Sequence, residues 1–116
     1  MTQQKSQIQQ AIQASIDVLS AAQQGPDAEW LVLDNEQAKS ATSLIQQAIG
    51  TLENLPKDKP DFKAFALRAI STLIYTESTI SVLNNDTSEA HKGRTSSALE
   101  QLNQLLTIID DAFQVN

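Results

Sequence analysis

Apolar side chains recur along this chain at steps of three and four residues, the spacing that returns a side chain to one face of an α-helix. Over residues 2–24 the recurring positions are Ile8, Ala11, Ile12, Ile16, Leu19 and Ala22. Over 27–55 they are Leu31, Ala38, Ala41, Ile45, Ala48, Leu52 and Leu55, which follow a seven-residue repeat, and the alanines imply close approach of a neighbouring helix. Over 60–83 the stripe is Phe62, Phe65, Ala66, Ala69, Leu73, Ile80 and Leu83, with Leu67, Ile70 and Ile74 widening it on one side. Over 87–113 it is Ala98, Leu99, Leu102, Leu105, Leu106, Ile109, Ala112 and Phe113. No stretch shows the two-residue alternation of a half-buried strand.

Turn-forming residues separate these four stretches: Gly25-Pro26, the segment from Pro56 to Pro60, and Asn84-Asn85-Asp86-Thr87. Gly25 suits a helix C-terminal stop. Asp27 can cap the second helix, with Glu29 adding favourable charge to its first turn. Pro60 suits the first position of the third, followed by Asp61. Asp86 with Glu89, or Thr87 with Ser88, can cap the fourth, while Gly93 weakens its first turns and can delay its start. Helices of this length span about 33–42 Å. Short connections force neighbours to run antiparallel, so the pattern predicts one all-α domain over 1–116, an up-down-up-down four-helix bundle. The alternative is three long helices plus a short broken segment near 28–33, with Asp34-Asn35-Glu36 starting the second helix afresh.

Polar residues on the inward stripes are the exceptions a bundle must explain. At 100° per residue, Asp34, Thr76, His91 and Thr95 project inward and Glu77 projects near the edge. Antiparallel topology gathers Trp30, Asp34, Glu77, His91 and Arg94 at one end of the bundle. Three arrangements suit such a group. The helix ends can simply be solvated, with Asp34 or Glu77 paired to Arg94. The group can form a small polar ligand pocket roofed by Trp30 and Tyr75. Or Asp34, Glu77 and His91 can hold a metal, although a ferritin-like di-iron bundle requires paired Glu-x-x-His motifs, and here Glu89 precedes the single histidine by two residues. The string Ala90-His91-Lys92-Gly93 also resembles the surroundings of the active histidine in histidine phosphotransfer domains, which are four-helix bundles. That resemblance implies a phosphoryl-carrying His91. It spans a few residues and departs from the pattern, because Lys and Gly follow the histidine directly instead of three and four residues later.

Apolar residues off the stripes form a second group. Val32, Leu33, Leu67, Ile74, Tyr75 and Val82 project sideways or outward. Leu67 and Ile74 lie a heptad apart with Ile70 between them, so Leu67, Ile70, Ile74 and Tyr75 are a candidate interface for a second copy or a docked helix. The plainer expectation is that they shield the wide side of the core.

Composition narrows the function without choosing it. The 116 residues carry a net charge of −6 and no cysteine, which excludes disulfides and thiolate metal sites. Glutamine crowds the first turns at Gln3, Gln4, Gln7, Gln9, Gln10 and Gln13, and reads as a solvated helix face. The negative charge disfavours nucleic acid and favours a basic partner. No apolar run is long enough to cross a membrane, and residues 1–6 open no signal peptide, so a cytoplasmic location is the default expectation. With one histidine and three glycines, the chain offers no nucleophile–base–acid set beyond what His91 could join, and no phosphate-binding loop. Asp110-Asp111 opposes the helix dipole near the last C-terminus, which points to fraying there. The expectation is therefore a non-enzymatic bundle without metal or cofactor, acting through another protein (basic by charge) or through self-association. Adaptors, small chaperones and acidic inhibitors or immunity-type binders share this description. The alternative is a small-ligand, metal or phosphotransfer site at the Trp30/Asp34/Glu77/His91 end.

Overall fold

Pro60 opens a helix in the computed structural model as its ring geometry favours, and Lys63 N–H donates to the Lys59 carbonyl at 2.9 Å to close the first turn. The structure describes residues 2–23, 35–85 and 92–113. These form four α-helices: α1 (Thr2–Gln23), α2 (Asn35–Asn54), α3 (Pro60–Asn85) and α4 (Lys92–Ala112). Each packs on its neighbours in the chain, and α1 closes the ring against α4. The result is an elongated bundle with extents of 49 × 22 × 17 Å.

The expected elements are present, with revised ends. Helix α3 continues two residues beyond the predicted stop at Leu83, since asparagine is tolerated at the end of a helix even though it marks turns elsewhere. Helix α2 is described from Asn35 and α4 from Lys92. The expected starts at Asp27 and Thr87, their caps and the segment near 28–33 lie outside the described residues.

The core is the sum of the four stripes. Ile8, Ile12 and Leu19 of α1 meet Ile45 and Leu52 of α2, Leu73 and Ile80 of α3, and Leu102, Leu105 and Ile109 of α4, all fully buried. Burying side chains of this size stabilises the fold by about 1.5–3 kcal/mol each relative to exposure. Buried alanines at 38, 41, 48, 66, 69 and 98 let the helices approach closely. Where α3 begins and α4 ends, Phe62, Phe65 and Phe113 form an aromatic cluster, with edge-to-face contacts to Phe113 at 5.2 Å and 6.1 Å.

Among the described residues, five with hydroxyl side chains are buried within this core: Ser15, Thr72, Thr76, Thr79 and Thr95. Thr76 and Thr95 are the inward positions the pattern predicts. Several bond back along their own helix: Ser15 to the Ala11 carbonyl at 2.7 Å, Thr76 to that of Thr72 at 2.8 Å, and Thr79 to that of Tyr75 at 2.8 Å. Such back-bonding satisfies a buried hydroxyl without a partner helix.

Two expectations are corrected. Leu67 and Ile74 do not shield the core; they are 57% and 56% exposed. At 100° per residue they point away from the buried Thr76 and Ala69, so only Ile70, nearer the α2 side, packs on the core. The C-terminus of α4 is not simply frayed. The helix runs through Ala112, and Asp110 pairs with Lys5 of α1 at 2.5 Å. With Asp110 70% exposed, the pair contributes little to stability but registers the end of α4 against the start of α1.

Candidate functional site

Of the predicted end cluster, the described residues include Glu77 and Arg94; Trp30, Asp34 and His91 lie outside them. The two described members do not meet. Arg94, in the first turn of α4, extends across to α3. Its Nε donates to Thr79 Oγ1 at 2.9 Å, and a terminal nitrogen donates to Ser78 Oγ. The guanidinium carbon sits 5.0 Å from the centre of the Tyr75 ring, and the Tyr75 hydroxyl donates back to the Arg94 carbonyl at 3.5 Å. Thr79 thus accepts from Arg94 while donating to the Tyr75 carbonyl.

Glu77 leaves α3 on the other side. Residues 77 and 79 point about 200° apart around a helix, so a side chain bound at Thr79 is turned away from Glu77. Glu77 is half-buried and lines a shallow groove of about 350 Å³ between α2 and α3, with Ala38, Lys39, Thr42, Ser43, Gln46, Ile80 and Ser81. The expected Glu77–Arg94 pair therefore does not form, and the Lys5–Asp110 ion pair lies at the opposite end of the bundle. Among the described residues, no three acidic or histidine side chains are grouped to hold a metal.

The interface group is also divided. Leu67 and Ile74 form an exposed apolar pair on the outer face of α3, beside half-buried Ile70 and exposed Ser71. Tyr75 is turned toward α4 by its contacts with Arg94 and packs against the core. Lys63 and Glu77 flank the apolar group at opposite ends of the same face.

A wide concavity lies where the inward-facing polar pattern did not point. A groove of about 920 Å³ runs between the start of α1 and the end of α2, lined by Gln3, Gln4, Gln7, Gln10, Gln47, Thr51 and Asn54. Thr51 donates to Gln7 Oε1 at 2.6 Å, and Gln7 Nε2 donates to Gln47 Oε1 at 3.4 Å. Gln7 of the glutamine run is therefore more than part of a solvated face: it bonds α1 to α2, while Gln3, Gln10 and Gln13 stay exposed. Gln4 Oε1 is a buried acceptor there without a hydrogen-bond partner. Glutamine spacing at positions 3, 7 and 10 carried this signal, since those residues share one helix face.

None of the described helices is long and apolar enough to cross a membrane. Comparison with protein-family models, curated proteins and solved structures finds no match to this chain.

Proposed function

We propose that this chain is a non-enzymatic helical-bundle module that works through protein–protein contact, with another protein or by self-association, and that the outer face of α3 is its contact surface. The observation that supports this reading is the exposure of Leu67 and Ile74, 57% and 56%, on a helix whose opposite face already fills the core. Two large apolar side chains at heptad spacing on one solvent-facing strip suit contact with another helix. Adaptors, small chaperones and acidic inhibitors or immunity-type binders all fit the proposal, and where the partner is a different protein the net charge of −6 favours a basic one. The cytoplasm is the compartment this reading assumes.

The test is affinity capture from native lysate by the tagged full chain, with bound proteins identified by mass spectrometry. Wild type and His91→Ala are expected to capture the same stoichiometric partner, and Leu67→Asp/Ile74→Asp to lose it. Retained capture by the aspartate variant would sink the α3 surface. Loss of capture by a folded His91→Ala protein would transfer the role to the Trp30/Asp34/Glu77/His91 end.

A further inference from the structure

The outer face of α3 is self-complementary, and we infer that its occupant is a second copy of this chain, packed antiparallel through α3. This inference rests on the reading of that face as an interface, and names what covers it.

The argument is one of symmetry. The apolar group Leu67, Ile70 and Ile74 is centred between Ile70 and Ser71. A two-fold axis lying in the contact plane at that centre, perpendicular to α3, brings Leu67 level with Ile74 of the second copy, and Ile74 level with its Leu67. The same operation brings Lys63 level with Ser78 of the second copy, one residue, or about 1.5 Å of rise, from its Glu77. Lys63 is exposed and projects between Ile70 and Ile74, while Glu77 is half-buried and projects about 40° from it, on the flank of the strip nearer α2. The two-fold operation keeps that flank on the same side in both copies. Two apolar contacts and two opposite-charge pairs therefore form at once, as an isologous interface requires. Exposed Ser71 borders the strip with a small side chain that lets the two helices approach, while Ser78 beyond it holds the Arg94 guanidinium.

Charge also selects the direction. Parallel pairing of the same strip would set Lys63 against Lys63 and Glu77 against Glu77. An unrelated partner would not need opposite charges placed at matching distances from the apolar centre. The contact is one helix wide, so the dimer is weak and concentration-dependent.

Sedimentation velocity of the full chain, over a roughly hundredfold concentration range, tests this directly. Wild type is expected to show a reversible monomer–dimer equilibrium. Lys63→Glu and Glu77→Lys should each weaken it by roughly tenfold, because each variant sets like charges against each other. An equimolar mixture of the two single variants should recover dimerisation. In the mixed dimer the carboxylate introduced at position 63 faces the ammonium introduced at position 77, and the other pair is the native Lys63 with Glu77. Circular dichroism checks that each variant remains helical. A mixture no more dimeric than its components would overturn the antiparallel arrangement. Wild type that stays monomeric throughout would overturn self-pairing. If Leu67→Asp/Ile74→Asp still abolished partner capture in that case, the α3 face would remain an interface for a different protein; if capture survived, both readings would fall.

Discussion

Arg94 of α4 caps Tyr75 of α3: its guanidinium lies 5.0 Å from the ring centre while its backbone carbonyl accepts the Tyr75 hydroxyl. The same side chain donates to Thr79 and Ser78, so one residue ties the first turn of α4 to three positions on α3. Arg94→Ala is expected to destabilise the bundle by about 1–2 kcal/mol, the sum of a partly exposed cation–π contact and a charge-assisted hydrogen bond. Arg94→Lys should recover less than half of the loss, because an ammonium cannot stack on the ring and reach both hydroxyls. Urea unfolding of the three proteins measures this; equal stability of the lysine variant and wild type would remove the stacking argument.

At the opposite end, Phe113 holds the last turn of α4 against Phe62 and Phe65. Phe113→Ala should cost about 3 kcal/mol, through lost burial and the void left between the two remaining rings. Thermal melts followed by circular dichroism would show it, and a loss below about 1 kcal/mol would mean that the cluster collapses to fill the space.

Buried Thr76 gives the contrasting case. Its hydroxyl donates to the Thr72 carbonyl of its own helix at 2.8 Å, so the bond does not tie one helix to another. Thr76→Val keeps the volume and removes a buried polar group, so stability should stay within about 1 kcal/mol of wild type or rise. Thr76→Ala, which also leaves a gap, should be the less stable of the two. The reverse order in chemical denaturation would show that the hydroxyl matters beyond its own helix.

Gly50 stands inside α2, and a Cβ added there meets nothing within 4 Å. Gly50→Ala should therefore stabilise the protein by roughly 0.5–1 kcal/mol, through helix propensity alone. A melting temperature raised by a few degrees is the expected reading. A lowered one would indicate that the α1–α2 groove requires the bare backbone.

Much of this fold was legible in the order of residue types. Steps of three and four residues located four helices and selected most of their buried positions, from Ile8 and Ile12 to Leu105 and Ile109, because helical geometry fixes which side chains share a face. The segment from Pro56 to Pro60 marked where α2 and α3 separate, whereas Asn84 and Asn85 of the next turn signal lie inside α3, and short connections dictated antiparallel neighbours. Thr76 and Thr95 were placed inside by angle alone. Ser15 and Thr79 lay at core spacing too, Ser15 between Ile12 and Leu19, but a hydroxyl's tolerance of the core depends on the backbone carbonyl it finds.

Tertiary packing decided the rest. Antiparallel topology set Glu77 and Arg94 at the same end of the bundle, but projection around one helix could not say which flank of α3 the fourth helix covers. That flank gave Arg94 to Tyr75, Ser78 and Thr79, and left Glu77 on the α2 side. The same packing left Leu67 and Ile74 in solvent, since a single helix pattern shows that a residue is apolar but not whether a neighbour reaches it. Sequence determined the elements and their inward faces through local geometry. Only the three-dimensional arrangement determined which side chains meet across helices, because those contacts depend on how the helices are set around the shared core.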